Sequence, residues 1–361
     1  MSLVALHETH LSLGAKMGPF GGWDMPIEYT AGTVAEHTAV RTAVGIFDVS
    51  HMGKVRILGA GAYEFANSVF TNDLDRIKPG QAQYSMLCNE SGGVIDDLIV
   101  YLVSDEEVRF IPNAGNASTV VAHLENIAPA GIVIENNHLS QGIIAVQGPN
   151  ASKVLSALGL PTDHEYMAFA DAKWNDFEVS ICRTGYTGEP GYELVIANAG
   201  LVAIWTALLA VGADLGILPC GLGARDTLRT EMGYVLHGQD INPEISPVQA
   251  KTGWAVGWNK PEFSGKAALT AEKAAGAKRV AWGLLATGRG IPRSHMQVKK
   301  VSGEVVGETT SGTFSPTLQK GIALALLSPE VALGDTLLVD VRGRDLEVVV
   351  SKPPFVTTSP K

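Results

Sequence analysis

The stretch Tyr84-Ser85-Met86-Leu87-Cys88-Asn89-Glu90-Ser91-Gly92-Gly93-Val94-Ile95-Asp96-Asp97-Leu98-Ile99-Val100-Tyr101 decides how the chain is read. Gly92-Gly93 marks a tight turn between two strands, expected over Gln83–Leu87 and Val94–Val103. The second run is apolar almost throughout, which predicts burial on both faces. It nevertheless carries adjacent carboxylates, Asp96 and Asp97. Neighbouring side chains of a strand point to opposite faces, so the two are not expected to serve one site together. One should face solvent or cap the turn. The other enters the interior, where a lone charge is costly unless it has a partner or a role. By itself the stretch is equally compatible with two Asp residues closing a strand end.

Outward from it, a unit occurs twice. The strand Val55–Leu58 meets Gly59-Ala60-Gly61-Ala62 and a helix over Tyr63–Phe70; after the two strands around Asp97 come the strand Val108–Ile111, a helix over Asn116–Ile127 and the strand Ile132–Glu135. The second copy has Ile143–Gln147, Gly148-Pro149-Asn150-Ala151, a helix over Ser152–Leu158, strands Phe177–Arg183 and Gly191–Ala197, and a helix over Leu201–Val211. In both, a strand ends in Asn-Ala-Gly before a helix. A repeated β-α-β-β-α-β order is the ferredoxin-like motif, so two related α+β halves are expected, roughly 52–140 and 141–260. Residues 1–51 should pack across them, with a short helix in Glu8–Lys16, an aromatic loop over Gly18–Trp23 and a helix over Val34–Ala43. Residues 261–275 read as a linker helix that completes a 1–275 region, and 276–361 as an antiparallel β-barrel of short strands joined by Gly, Pro and charged turns.

Composition narrows the function classes. A chain of 361 residues with 46% hydrophobic and 18% charged residues is folded and multidomain. Its net charge of −10 argues against nucleic acid as a partner, which demands a basic surface. Cys88, Cys182 and Cys220 lack CxxC spacing and suggest neither disulfides nor zinc. The N-terminus has no signal- or transit-peptide pattern and no apolar run is expected to reach membrane-spanning length, giving a cytoplasmic expectation with no membrane partner.

Walker A, GxGxxG and HExxH patterns are absent; His7-Glu8-Thr9-His10 is one residue too short, and no metal is expected. Gly221-Leu222-Gly223 before the helix Ala224–Met232 reads as a packing device. Glu193, like Asp97, is a carboxylate inside an apolar strand, and Arg225 opens a helix that also holds Arg229 and Glu231, with Tyr234 beyond. Two readings stay open here. Glu193 forms a structural salt bridge with Arg225 or Arg229, or these groups bind a ligand with a donor edge and an anionic tail, as a carboxylate grips an amino-pyrimidine and Arg grips a carboxylate.

The segments "FGGWDMPIEY", "GIFDVSHMGKV", "QAQYSMLCNESGGVIDDLIVY", "VQGPNA", "RTGYTGEPGYEL", "CGLGARDTLR", "TSGTFSPTLQKGIALAL" and "VSKPPFV", in this order over nearly the whole length, resemble the T-protein family of the glycine cleavage system. The resemblance implies a three-domain cloverleaf around a central folate channel. It also implies aminomethyl transfer from a lipoylated carrier, the H-protein, to tetrahydrofolate as co-substrate, without metal or flavin. The family's essential carboxylate matches Asp97. Its folate-contacting positions match Tyr84, Asn113, Tyr186, Glu193, Arg225 and Tyr234. Two departures stand out. Pro112 precedes Asn113 and should place that strand at an edge or in a bulge, and the tail ends at Lys361 without the Tyr or Arg that some relatives bring near the ligand. Arg289, Arg293 and the segment Trp254–Trp258 fit either channel lining or domain packing. Alternatives in the same superfamily are a folate-dependent demethylation module, normally fused to a flavin domain, and a non-catalytic folate-binding protein of iron–sulfur cluster maintenance. The latter lacks the Asp pair and carries a Lys-Gly-Cys-Tyr segment that this chain does not have.

Overall fold

The computed structural model describes residues 1–359, so Lys361 lies outside the described residues. The stretch around Asp97 forms two strands of a five-stranded antiparallel sheet, ordered Ala82–Cys88, Val94–Ser104, Glu107–Ile111, Val55–Leu58, Val133–Asn136. Helices Ala62–Val69 and Ala117–Ile127 cover one face, burying Phe65, Phe70, Leu98, Val100, Phe110 and Leu124. Val94–Ser104 alternates over Val94–Ile99 and is buried on both faces only over Val100–Leu102. Leu98 and Val100 point into the helix-covered core, with half-buried Ile95 packed against it; Val94 joins a separate cluster with Met86 and Cys88, Asp96 is fully buried, and Asp97 and Ile99 are half-buried on the other side. That other side faces the second half, which Tyr101 touches through a 3.2 Å bond to Thr184.

The turn is built as the glycines require. Asn89 Oδ1 accepts from Gly93 N at 2.9 Å and Ser91 N at 3.0 Å, and Gly92 has φ of 84°. Gly93 lies against the Pro243 carbonyl, with no room for a Cβ. Gly93→Ala should therefore lower unfolding free energy by about 2–4 kcal/mol, a shift of the urea midpoint at constant slope.

The second sheet runs Phe169–Trp174, Phe177–Cys182, Gly191–Ala197, Gln141–Gln147, Val44–Asp48, Ile217–Pro219. In the first half Val133–Asn136 pairs antiparallel with the opening strand; here Val44–Asp48, from the N-terminal 51 residues, takes that place beside Gln141–Gln147. The N-terminal segment thus completes this sheet rather than only lying across it. Helices Ala151–Ala157 and Asn198–Gly212 bury Val154, Leu201, Ile204 and Trp205 against it. Asn198–Leu215, an 18-residue stretch of mean hydropathy 1.5, corrects the expectation that no apolar run is long enough to span a membrane; by length and composition it qualifies, and Leu201, Ile204, Trp205 and Leu208 pack into this core.

Residues Gly18–Trp23 are not a loop. Lys16–Phe20 and Trp23–Glu28 form a hairpin across Gly21-Gly22, beside Ser2–Leu3. Pro19 and Pro26 hid the strand signal. A buried chain from Tyr29 to His10 Nδ1 (2.9 Å) and from His10 Nε2 to Asp48 Oδ2 (2.8 Å) ties this region to Val44–Asp48. Pro112 is also accommodated differently from expectation. Glu107–Ile111 is an interior strand that ends before the proline, whose carbonyl accepts from Gly53 N at 2.9 Å.

The C-terminal strands close into a six-stranded barrel, Val280–Ala286, Lys320–Leu327, Val305–Ser315, Gln297–Lys300, Thr336–Asp340, Asp345–Ser351. Gln297–Lys300 had no apolar signature beyond Val298, yet it is the strand that closes the ring. Helix Leu222–Met232 clamps the barrel to the second half. Arg229 donates to Asp240 (2.9 Å) and to Ser311 of the barrel (2.9 Å), while Glu231 meets Arg41 on one side and Ser315 and Thr317 on the other.

Candidate active site

Asp97 sits where the first sheet looks toward the second half. Tyr84, on the neighbouring strand, donates to Asp97 Oδ2 at 3.1 Å. Asn113 emerges just after Pro112, so the chain leaves the strand and crosses its end. Its Nδ2 lies 2.8 Å from Asp97 Oδ1 and 2.6 Å from Asp96 Oδ1, and its backbone N–H donates to Asp96 Oδ2 at 3.1 Å. The expectation that the two carboxylates cannot act together is therefore corrected. They do leave the strand on opposite faces, but at its end one amide reaches both.

The electrostatic consequence follows from burial. Burial and the neighbouring Asp97 push the Asp96 carboxyl up to about 8. Burial also raises Asp97, opposed by His237 and by the hydrogen bonds from Tyr84 and Asn113. Two close carboxyls in a poorly solvated place cannot both ionise freely, so Asp97 holds a proton more readily than a surface Asp.

The second cluster comes from the other half. The Arg225 guanidinium lies 4.6 Å from the Tyr186 ring centroid, and Tyr186 stacks on Tyr234 at 5.7 Å and 28°. The Tyr186 hydroxyl donates to the Val235 carbonyl. Glu193 Oε2 accepts from Thr184 Oγ1 at 2.5 Å. The structural salt bridge is not formed: among the described residues Arg225 makes no ion pair, Glu193 pairs with neither arginine, and Arg229 is held by Asp226 and Asp240. Burial pushes the Tyr186 hydroxyl up, with Arg229 and Arg225 opposing and Asp97 reinforcing, which puts both clusters in one electrostatic neighbourhood. All seven residues singled out from the sequence are half-buried, shielded but reachable.

Two further side chains belong here. His237 Nε2 lies 2.8 Å from the Ile95 carbonyl, two residues before Asp97 in the strand, and His237 is near enough to oppose the rise of the Asp97 carboxyl. Trp254 stacks on Tyr84 at 5.3 Å and 28°. Neither stands in a pattern that sequence alone could assign; an isolated His in Leu-His-Gly carries no spacing signal. Arg289 and Arg293 are exposed on the barrel. A cavity of about 300 Å³ between the sheets, lined by Lys54, Arg56, Tyr101, Arg109 and Asp171 among others, contains none of the seven. Its cations are already matched, Arg56 to Glu107 and Glu135, Arg109 to Glu107 and Asp171, Lys54 to the Ser50 and Met52 carbonyls. Among the described residues no group of three His, Cys, Asp or Glu could hold a metal ion, and all three cysteines are free and buried.

Residues 6–260 match the model of the GCVT N-terminal domain, and 279–357 that of the glycine cleavage T-protein C-terminal barrel domain. The aminomethyltransferase of Frankia alni is 58% identical over 357 residues, covering 99% of this chain and 98% of that protein. The aminomethyltransferase of Mycobacterium tuberculosis H37Rv is 56% identical over 353 residues, covering 97% and 96%. The crystal structure of glycine cleavage system aminomethyltransferase T from Bartonella henselae superposes with a TM-score of 0.94 at 33% identity, covering 99% of both chains. On two family models and full-length relatives of more than half identity, the chain belongs to the glycine cleavage T-protein family.

Proposed function

We propose that Asp97, Tyr84, Asn113, Tyr186, Glu193, Arg225 and Tyr234 form the site in which this chain performs the aminomethyl transfer of glycine cleavage. Tetrahydrofolate, the co-substrate, receives the methylene of the aminomethyl group from the lipoyl arm of the H-protein, leaving 5,10-methylenetetrahydrofolate, ammonia and the dihydrolipoyl carrier. Asp97 accepts a proton at the reacting nitrogens, a role suited to a carboxylate whose proton affinity is raised by burial. Tyr84 and Asn113 fix its rotamer through both oxygens. Glu193 offers the acceptor pair for an amino-pyrimidine edge, Arg225 takes a carboxylate of the ligand, and Tyr186 with Tyr234 supplies a flat apolar wall. The observation that carries this reading is Arg225, a guanidinium without an ion pair among the described residues, held over an aromatic ring beside carboxylates. For the chain as a whole we propose a 1–275 folate region, with halves 52–140 and 141–260 and a linker at 261–275, followed by the 276–361 barrel, and a cytoplasmic location.

Calorimetric titration with tetrahydrofolate, paired with ammonia release from aminomethyl-loaded lipoyl carrier, tests the reading. Folate binding without ammonia release would replace it with the non-catalytic alternative. Arg225→Met should weaken folate binding by about 10- to 100-fold, the value of one or two hydrogen bonds to a charged group, with turnover at saturation nearly unchanged.

A further inference from the structure

His237 reaches the carboxylate pair on the segment that follows helix Leu222–Met232, and that segment is pinned on both sides of the site. The Val235 carbonyl accepts from the Tyr186 hydroxyl, and the Leu236 N–H donates to Asp240 Oδ2 at 2.8 Å. The Gly238 N–H donates to the Ile241 carbonyl at 2.8 Å, closing a tight loop directly after the histidine. The imidazole Nε2 meets the Ile95 carbonyl at 2.8 Å. A carbonyl only accepts, so Nε2 carries the hydrogen. The open position is Nδ1, which has no protein partner among the described residues. The ring can therefore take up a proton at Nδ1 without giving up its anchor.

The chemistry at Asp97 calls for a charge in that place. In the transfer two C–N bonds form to folate while the C–N and C–S bonds of the aminomethyl group break, and the bonding pairs leave with nitrogen and sulfur. The hydrogens of two folate nitrogens end on ammonia and on the thiol, with no net oxidation. Two protons thus cross the site per turnover, and Asp97 has to release the first before it can take the second. Burial works against that release, and Asp96 shares the Asn113 amide with it. The arginines nearby are committed elsewhere: Arg229 to Asp226 at 2.7 Å and Asp240 at 2.9 Å, Arg225 to the face of Tyr186. Tyr84 and Tyr186, the phenols beside Asp97, are pushed up by burial and stay neutral. His237 is the strongest influence opposing burial at Asp97. We propose that His237 is a positioning residue for the transfer, its imidazolium being the counter-charge that returns Asp97 to its carboxylate form between the two proton transfers. Histidine suits the role because its charge ordinarily changes in the neutral range. The inference rests on the transferase reading above and adds to it a residue that acts through Asp97.

NMR titration of the ligand-free protein, isotope-labelled in its aspartate carboxyls, tests this apart from turnover, with Asp97→Asn identifying the Asp97 signal. The Asp97 midpoint should rise by about one pH unit in His237→Gln, the effect of losing one nearby opposite charge. Gln can still donate to the Ile95 carbonyl but cannot carry a charge. His237→Tyr, a neutral donor of another shape, should give the same rise. In the ammonia-release assay the acidic limb of kcat/KM should move up by the same amount in both variants, about a tenfold loss at any pH on that limb. The profile should shift along the pH axis rather than fall by a constant factor. Adding His237→Gln to Asp97→Asn should cost no further rate, because the histidine acts through the carboxylate. Asp97 midpoints that stay put in both variants overturn the counter-charge, as does a raised KM for folate with the acidic limb unmoved. No ammonia release by the wild type would sink the transferase reading, and the NMR midpoints would still decide whether His237 acts on Asp97.

Discussion

Asp97→Asn should reduce ammonia release by about a hundred- to ten-thousandfold, the range associated with loss of a positioned proton acceptor, while tetrahydrofolate still binds. Asn preserves the size and most of the contacts: its oxygen can accept from Asn113 Nδ2 where Asp97 Oδ1 does now at 2.8 Å. Its amide nitrogen, facing the Tyr84 hydroxyl, would reverse that bond. What it cannot do is take up a proton. Stability should not fall, because the substitution removes a charge from beside the buried Asp96. The folded-state pKa of Asp97 is raised, so the native protein binds its proton more tightly than the unfolded chain. That contribution is fully present below the ordinary carboxylate pKa and is lost as pH rises through the raised one. Asp97→Asn should thus flatten the decline of stability from pH 4 upward and remove the acidic limb of the kcat/KM profile. A variant that keeps wild-type turnover would exclude Asp97 as the proton acceptor; one that loses folate binding as well would mark it as a binding group.

The fold and the site are legible in the sequence where the physics is local. Gly92-Gly93 and the apolar run after it specify a hairpin at short range, so the strand bearing Asp97 was readable. The repeated strand–helix order likewise gave both α+β halves. Val44–Asp48 was missed as a member of the second sheet because its partners, Gln141–Gln147 and Ile217–Pro219, are about a hundred or more residues away, and no local pattern records such pairing. Gln297–Lys300 closes the barrel through neighbours rather than through its own composition. At the site, residue types pointed to Asp97, Glu193 and Arg225. Asn113 joining Asp96 to Asp97 depended on how Pro112 ends its strand, and that is a tertiary fact. Trp254 and His237 reach the site from the long segment after helix Leu222–Met232, whose course no periodicity announces.

The largest loss of stability is expected at Glu231, outside the proposed chemistry. Its side chain is fully buried and its carboxylate serves four residues: Arg41 at 2.8 Å, His37 at 3.3 Å, Ser315 at 2.5 Å and Thr317 at 2.9 Å. Arg41 is itself nearly buried, so Glu231→Ala would leave a guanidinium with only Glu189 to balance it and two barrel hydroxyls without their acceptor. Removing one partner of a buried ion pair costs about 3–5 kcal/mol, a large part of the stability of an ordinary domain. Burial alone would raise the Glu231 pKa, but the bonds from His37, Ser315 and Arg41 outweigh it and hold the group down to about 2. A depressed carboxylate stabilises the fold above its unfolded pKa and ceases to do so as pH falls through the folded one. The wild type should therefore lose this contribution between roughly pH 4.5 and pH 2, and Glu231→Gln should show a shallower acid transition over that window. Urea unfolding at pH 7 and at about pH 3 measures both effects. Because Arg225 sits on the same helix two turns earlier, Glu231→Ala should also weaken folate binding at temperatures where the chain is still folded. Unchanged unfolding midpoints would mean that the barrel is held to the second half by its apolar contacts and by Arg229 with Asp240, rather than by this buried charge.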